Sequence, residues 1–77
     1  MDFADALKAL KEGACVRNRH WNGKNMYLSL QIPDHMSKMS VPYIYLCVPD
    51  SYPDYPHVMV PWIPSQLDLM SEHWEIV

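Results

Sequence analysis

Val60-Pro61-Trp62-Ile63-Pro64-Ser65-Gln66-Leu67-Asp68-Leu69-Met70 joins a short apolar run to a stiff turn and a helix start. Pro61 and Pro64 restrict their own backbone and push the residue before each toward extended geometry. Ser65 stands three residues ahead of Asp68, the spacing of a capping box: a hydroxyl serves one orphan amide and a carboxylate reaches back to another. A helix is expected from about Gln66 to Ser71. The chain then closes on a terminal strand over residues 73–77, with Trp74 favoured as a core side chain.

Working back from this stretch, residues 57–61 read as a brief edge strand. Residues 49–57 carry Pro49, Pro53 and Pro56, which forbid a central strand and suggest a stiff surface loop. Residues 42–48 alternate clearly, with Ile44, Leu46 and Val48 inward and Tyr43, Tyr45 and Cys47 outward. Residues 34–41 have no period and read as a loop. Residues 26–32 alternate in the same way, Met26, Leu28, Leu30 and Ile32 against Tyr27, Ser29 and Gln31. Paired, these two strands would present a semi-polar, Tyr-rich outer face of the kind that makes subunit contacts or lines a cleft.

Asn22-Gly23 is the strongest hairpin signal in the chain, and places Arg19, His20, Trp21 and Lys24 at the rim of a tight turn. Residues 14–19 form the strand before it, with Cys15 and Arg17 on one face and Val16 and Asn18 on the other. Phe3, Ala6, Leu7 and Leu10 recur at helical spacing, so residues 2–12 read as an amphipathic helix. Asp2 is its N-cap and Gly13 its left-handed stop. These elements make an α+β fold in one domain over residues 1–77: an N-terminal helix, a small mainly antiparallel sheet, and a short helix before a C-terminal strand.

With 77 residues the chain buries only roughly 60–65% of the surface its unfolded form exposes. It nevertheless holds 49% hydrophobic residues, three Trp and five Tyr. Part of that aromatic surface is expected in a subunit interface or a ligand pocket. The net charge of −3, with no basic run, argues against an extended nucleic-acid partner. It leaves open a pocket of two or three cations brought together by folding. Two cysteines, an acidic N-terminal stretch and no apolar run of membrane length give the expectation of a soluble, cytoplasmic protein with free thiols and no membrane contact.

Catalysis has little support. Ser65, Asp68 and His73 contain the residue types of a triad, but sequence proximity is no measure of geometry, and Ser65 and Asp68 have a use as cap residues. Cys15, His20, His35, Cys47, His57 and His73 do not form the close ligand pairs of a zinc site, so no metal is expected. The two glycines, Gly13 and Gly23, belong to no phosphate-binding fingerprint. Trp21-Asn22-Gly23-Lys24-Asn25 is richer. A Trp face stacks on a base, Asn reads a base edge, and Arg17, Arg19 or Lys24 can take a phosphate. The plainer account makes Trp21 core, Asn22-Gly23 only a turn, and the cations solvated. Trp62, held between two prolines, has the same two readings and is better placed than Trp74 to line a pocket.

The order Phe3…Ala6-Leu7…Leu10-Lys11-Glu12-Gly13, Val16-Arg17…Trp21-Asn22-Gly23-Lys24, Val60-Pro61-Trp62…Pro64-Ser65-Gln66…Asp68-Leu69 and Glu72-His73-Trp74-Glu75-Ile76 resembles the small phage and prophage proteins of the second Thoeris anti-defence family. The resemblance covers nearly the whole chain, is diffuse over residues 33–58, and is most specific in the Pro-Trp…Ser-Gln…Asp segment with its closing Trp-Glu-Ile. It implies a sponge: a small α+β homo-oligomer, commonly a tetramer, that binds a cyclic ADP-ribose-type signal at subunit boundaries and holds it uncleaved. Some members take cyclic oligonucleotide signals. An acidic residue commonly precedes the final Trp in the family, and His73 stands there instead.

The expected function is therefore sequestration of a cyclic nucleotide immune signal, without enzymatic activity or cofactor, in the cytoplasm of a bacterial host. The ligand-binding candidates are Trp21 and Trp62 for stacking, with Tyr43 and Tyr45 of the outer face beside them. Arg17, Arg19 and Lys24 are candidates for phosphates, and Asn22 and Asp68 for hydrogen bonds. A protein-interaction module working through the Tyr-rich face is the alternative, and an enzyme degrading the same signal is a third reading.

Overall fold

The computed structural model describes residues 1–23, 25–52 and 55–77, and side chains for all of these except residues 50–52, 55 and 56. Lys24, and Pro53 and Asp54 of the segment expected to be a loop, lie outside the described residues. The order is α1 (Phe3–Lys11), β1 (Val16–Asn18), β2 (Tyr27–Gln31), β3 (Tyr43–Tyr52), β4 (Tyr55–Pro61), α2 (Gln66–Met70) and β5 (Trp74–Ile76). The strands form one antiparallel sheet in the order β4-β3-β2-β1-β5. This is the α+β architecture expected from the pattern.

Helix α1 starts as its sequence dictates. Asp2 has extended backbone, and its carboxylate accepts the Asp5 N–H at 2.9 Å. The helix stops at Gly13, whose φ of +96° only glycine adopts freely. The Ala14 N–H reaches the Ala9 carbonyl and the Gly13 N–H that of Leu10, each at 3.0 Å, the paired bonds of a Schellman ending. The buried stripe Ala6, Ala9 and Leu10 lies on β1, β2 and β5. There it meets Val16, Leu28 and Trp74 to form the core. Helix α2 packs against α1, so both helices cover the same face of the sheet.

The proline-rich segment departs from expectation. It is a β-ribbon, because β3 runs on to Tyr52 and β4 begins at Tyr55. The pairing of β3 with β2 spans only Tyr43 to Cys47. Beyond it the ribbon has two strands, so each backbone needs partners on one side alone and prolines are tolerated. A register shift between Pro49 and Tyr52 absorbs the irregularity.

The connection from β1 to β2 also differs. It is a longer loop than the two-residue hairpin expected at Asn22-Gly23. Among its described residues Asn25 is left-handed, at φ 62°. The cause is Asn18, which is buried at the end of β1. Its side-chain oxygen accepts the His20 N–H at 3.0 Å and its carbonyl accepts the Trp21 N–H at 3.1 Å. The chain turns there, before Asn22 is reached.

The face away from the helices carries Tyr27, Ser29, Gln31, Tyr43, Tyr45 and Cys47, as the alternation predicts and the register shows. Cys47 lies on this outward face yet is fully buried. Both cysteines are free thiols. The Tyr27 hydroxyl is pushed up to about 12, first by its side-chain hydrogen bond with Cys47, then by burial and by the nearby Cys47, Tyr45 and Cys15. A raised folded pKa contributes stability that is present below the ordinary tyrosine value of about 10 and is lost as the pH climbs from there toward 12. Ultraviolet titration of tyrosinate should show one residue ionising late, and Cys47→Ala should remove most of that delay.

Candidate functional site

The site is built around the first turn of α2. Ser65 has extended backbone and its hydroxyl accepts the Asp68 N–H at 3.1 Å, which is half of the expected capping box. The other half is replaced. The Asp68 carboxylate accepts the indole N–H of Trp21 at 2.9 Å, and the Asp68 backbone carbonyl accepts the indole N–H of Trp74 at 2.9 Å. One residue of a five-residue helix thus holds two indoles. Trp74 is fully buried. Trp21 meets it edge to face, with ring centroids 5.4 Å apart and planes at 82°, a favourable quadrupole arrangement. Trp21 keeps part of its surface exposed.

Two depressions open beside Trp21. The larger, of about 680 Å³, has walls from His20, Trp21, Gln66, Asp68, Ser71 and His73. The smaller, of about 290 Å³, is bounded by Arg17, Arg19, Trp21, Gly23, Asn25 and Glu75. Asn18 and Trp21 are common to both. The larger volume is in the range of small-molecule pockets.

The cations differ in what they are free to do. Arg17 donates to Glu75 across the β1–β5 ladder at 2.8 Å, so its charge is matched. Arg19 faces His73, with guanidinium Nη2 3.0 Å from imidazole Nδ1. The His73 ring in turn meets His20, with centroids 4.3 Å apart at 78°. Among the described residues no carboxylate pairs with Arg19.

The sequence candidates divide into two groups. Trp21, Arg17, Arg19 and Asp68 come together around α2 and the end of β1. Asn22 is exposed beside them and lines neither depression. Trp62 packs on Phe3 and Trp74, with centroids 5.5 and 5.8 Å away, and also lines neither. Tyr43 and Tyr45 lie on the opposite sheet face, around a shallow hollow of about 180 Å³ with Gln31 and Met59. Asn18, His20 and His73 were not among the sequence candidates for the site. Asn18 did carry a signal, as a polar residue on the inward phase of a strand. His20 was placed at the rim of the turn, and His73 at the position where the family commonly has an acidic residue; that the two meet each other and Arg19 depends on the β1–β5 pairing.

Among the described residues no cluster of three or more His, Cys, Asp or Glu is suited to a metal ion, and no helix is long and apolar enough to cross a membrane. The family described as Thoeris anti-defense 2-like domain matches the chain over residues 1–77. The protein named Thoeris anti-defense 2, from Bacillus phage SP01, is 32% identical over 90 residues, an alignment covering 100% of this chain and 94% of that protein. The matched region takes in the whole Trp21–Asp68–Trp74 arrangement, and the chain belongs to the Thoeris anti-defense 2-like family of phage anti-defence proteins.

Proposed function

We propose that the protein binds a cyclic ADP-ribose-type or cyclic oligonucleotide immune signal in the depressions around Trp21. It holds the signal uncleaved and so blocks bacterial anti-phage defence. The observation that carries this reading is Trp21 itself: a partly exposed indole, fixed in orientation by Asp68, standing between two hollows, with Arg19, unpaired by any carboxylate among the described residues, on the wall of the smaller. A stacking surface with a cation beside it is what a planar base and a phosphate require.

A non-catalytic role agrees with how the polar side chains are used. The Ser65 hydroxyl caps α2, the Asp68 carboxylate holds Trp21, and His73 Nδ1 faces Arg19. The three residue types of a triad therefore point at three different partners. Homo-oligomerisation, with the tetramer as the proposed state, is supported by exposed apolar side chains such as Ile63, Leu67 and Met36, which are 87%, 86% and 80% exposed. The proposed place of action is the cytoplasm of the bacterial host.

The test is calorimetric titration with a panel of cyclic ADP-ribose isomers and cyclic dinucleotides, followed by heat release and chromatography of the ligand. Tight binding with intact recovery is the expected result. Ligand consumed over time would overturn the sponge reading in favour of an enzyme. Failure of every compound to bind would favour the second reading, a protein-interaction module using the uncovered Tyr-rich face around Tyr43 and Tyr45.

A further inference from the structure

We infer that Arg19, His20 and His73 form an anion-recognition cluster between the two depressions, with both histidines on the wall of the larger and Arg19 on the wall of the smaller, taking a phosphate or pyrophosphate group of the ligand. This rests on the signal-binding reading of the same site and names the end of the site that meets the phosphates.

Charge sets the two arginines of this region apart. Arg17 is matched by Glu75, whereas no described carboxylate pairs with Arg19. A guanidinium with free donors and no counter-charge is the stronger attractor for a phosphate. The acidic residue lining the larger depression, Asp68, already accepts from Trp21.

The contact with Arg19 also fixes the tautomer of a neutral His73. Arg has five N–H donors and no acceptor. The 3.0 Å contact with His73 Nδ1 therefore uses the lone pair of that nitrogen. The proton of a neutral His73 then sits on Nε2, giving a donor on the far side of the ring. Arg19 has further N–H groups to offer, and His20 lies against the His73 ring. The cluster presents donors from more than one side chain, which suits phosphoryl oxygens better than the mixed donor and acceptor edge of a base.

The Arg19 N–H is bonded to the His73 carbonyl at 3.0 Å, extending the β1–β5 ladder. The His20 N–H is held by Asn18 and the His73 N–H by the Ser71 hydroxyl. All three side chains are exposed but spring from fixed backbone, so little ordering is needed on binding.

The experiment follows the imidazole resonances of His20 and His73 by NMR during titration with inorganic pyrophosphate, at constant pH and ionic strength. Saturable shifts are expected in the wild type and in Lys11→Gln, a loss of one positive charge on α1, and not in Arg19→Gln. Absence of shifts, or equal shifts in Arg19→Gln, would overturn the assignment. In parallel, Arg19→Gln should weaken the best-binding cyclic nucleotide by about tenfold or more. If that affinity is unchanged, the cluster assignment falls while signal binding stands. If pyrophosphate shifts the histidines but no cyclic nucleotide binds, the cluster stands and the signal reading falls.

Discussion

Trp74→Ala should cost the protein about 3–5 kcal/mol, the usual loss when a buried Trp is cut to a methyl group. A chain of 77 residues has a total stability of only roughly 4–12 kcal/mol, so this one change should remove a large share of it and, at the low end of that range, unfold the protein. Trp74 is 2% exposed. It contacts the rings of Phe3, Trp21 and Trp62 and donates its indole N–H to the Asp68 carbonyl. Alanine would remove the common partner of all three rings and leave that carbonyl with only the longer bond from the Ser71 N–H, at 3.3 Å. Trp74→Phe separates the two contributions. It keeps most of the ring packing and loses the hydrogen bond, for an expected cost of about 1–3 kcal/mol. Urea unfolding followed by far-ultraviolet circular dichroism, at one protein concentration for all variants, measures both. A loss below about 1 kcal/mol for the alanine variant would mean that the core is centred elsewhere.

Trp21→Ala should weaken binding of the cyclic signal by about 5- to 150-fold, corresponding to about 1–3 kcal/mol for stacking of one base on an aromatic ring. The fold, and with it the proposed oligomer, should persist, because Trp21 lies at the margin of the core and none of the backbone pairing of the strands depends on its ring. Trp21→Phe should retain much of the affinity, since a flat ring remains. It loses the N–H that fixes orientation and leaves the Asp68 carboxylate free to face the larger depression as an unmatched negative charge. A ligand carrying phosphates should sense that charge, so Trp21→Phe is expected between wild type and alanine. Calorimetric titration gives the affinities, and light scattering the oligomer size. Unchanged binding by Trp21→Ala would return Trp21 to a purely structural role.

The difference between the two tryptophans is a matter of depth. Both give their indole N–H to Asp68, one to the carboxylate and one to the backbone carbonyl. Trp74 lies under α1, where removal opens a void. Trp21 lies one ring further out, where it is both packed and accessible. Asp68 therefore links the capping of α2, the anchoring of the core ring and the orientation of the exposed one. Ser65 and Asp68 had the right spacing for a cap, and the cap forms. The carboxylate itself is drawn away to Trp21 because a partly buried indole N–H needs an acceptor, whereas an exposed helix start can give its amides to water.

Local chemistry was legible wherever it closes over a few residues. The Asp2 and Ser65 caps, the Gly13 stop, the alternation of residues 27–31 and 43–47, and the Tyr-rich outer face follow from rules that act within one turn or one strand. The resemblance to the anti-defence family was legible in the two ends of the chain, and the family match extends over all 77 residues. Prolines 49 and 56 misdirected the reading because their cost depends on whether a second neighbouring strand is present, and that depends on where β2 ends. Asn22-Gly23 misdirected it because the buried Asn18 turned the chain first.

The sequence by itself determined most of the secondary elements, the α+β class, the capped α2 and the burial of Trp74, and it left Trp21 between a core and a stacking reading. Tertiary structure alone decided which cations remain available. Arg17 and Arg19 are equivalent as residues two apart, but the β1–β5 register sets Arg17 against Glu75 and Arg19 beside His73. It also separated Tyr43 and Tyr45 from the Trp21 depressions, on opposite faces of one sheet. Charge matching and side-chain convergence are properties of distances between segments more than fifty residues apart, and no local rule carries those distances.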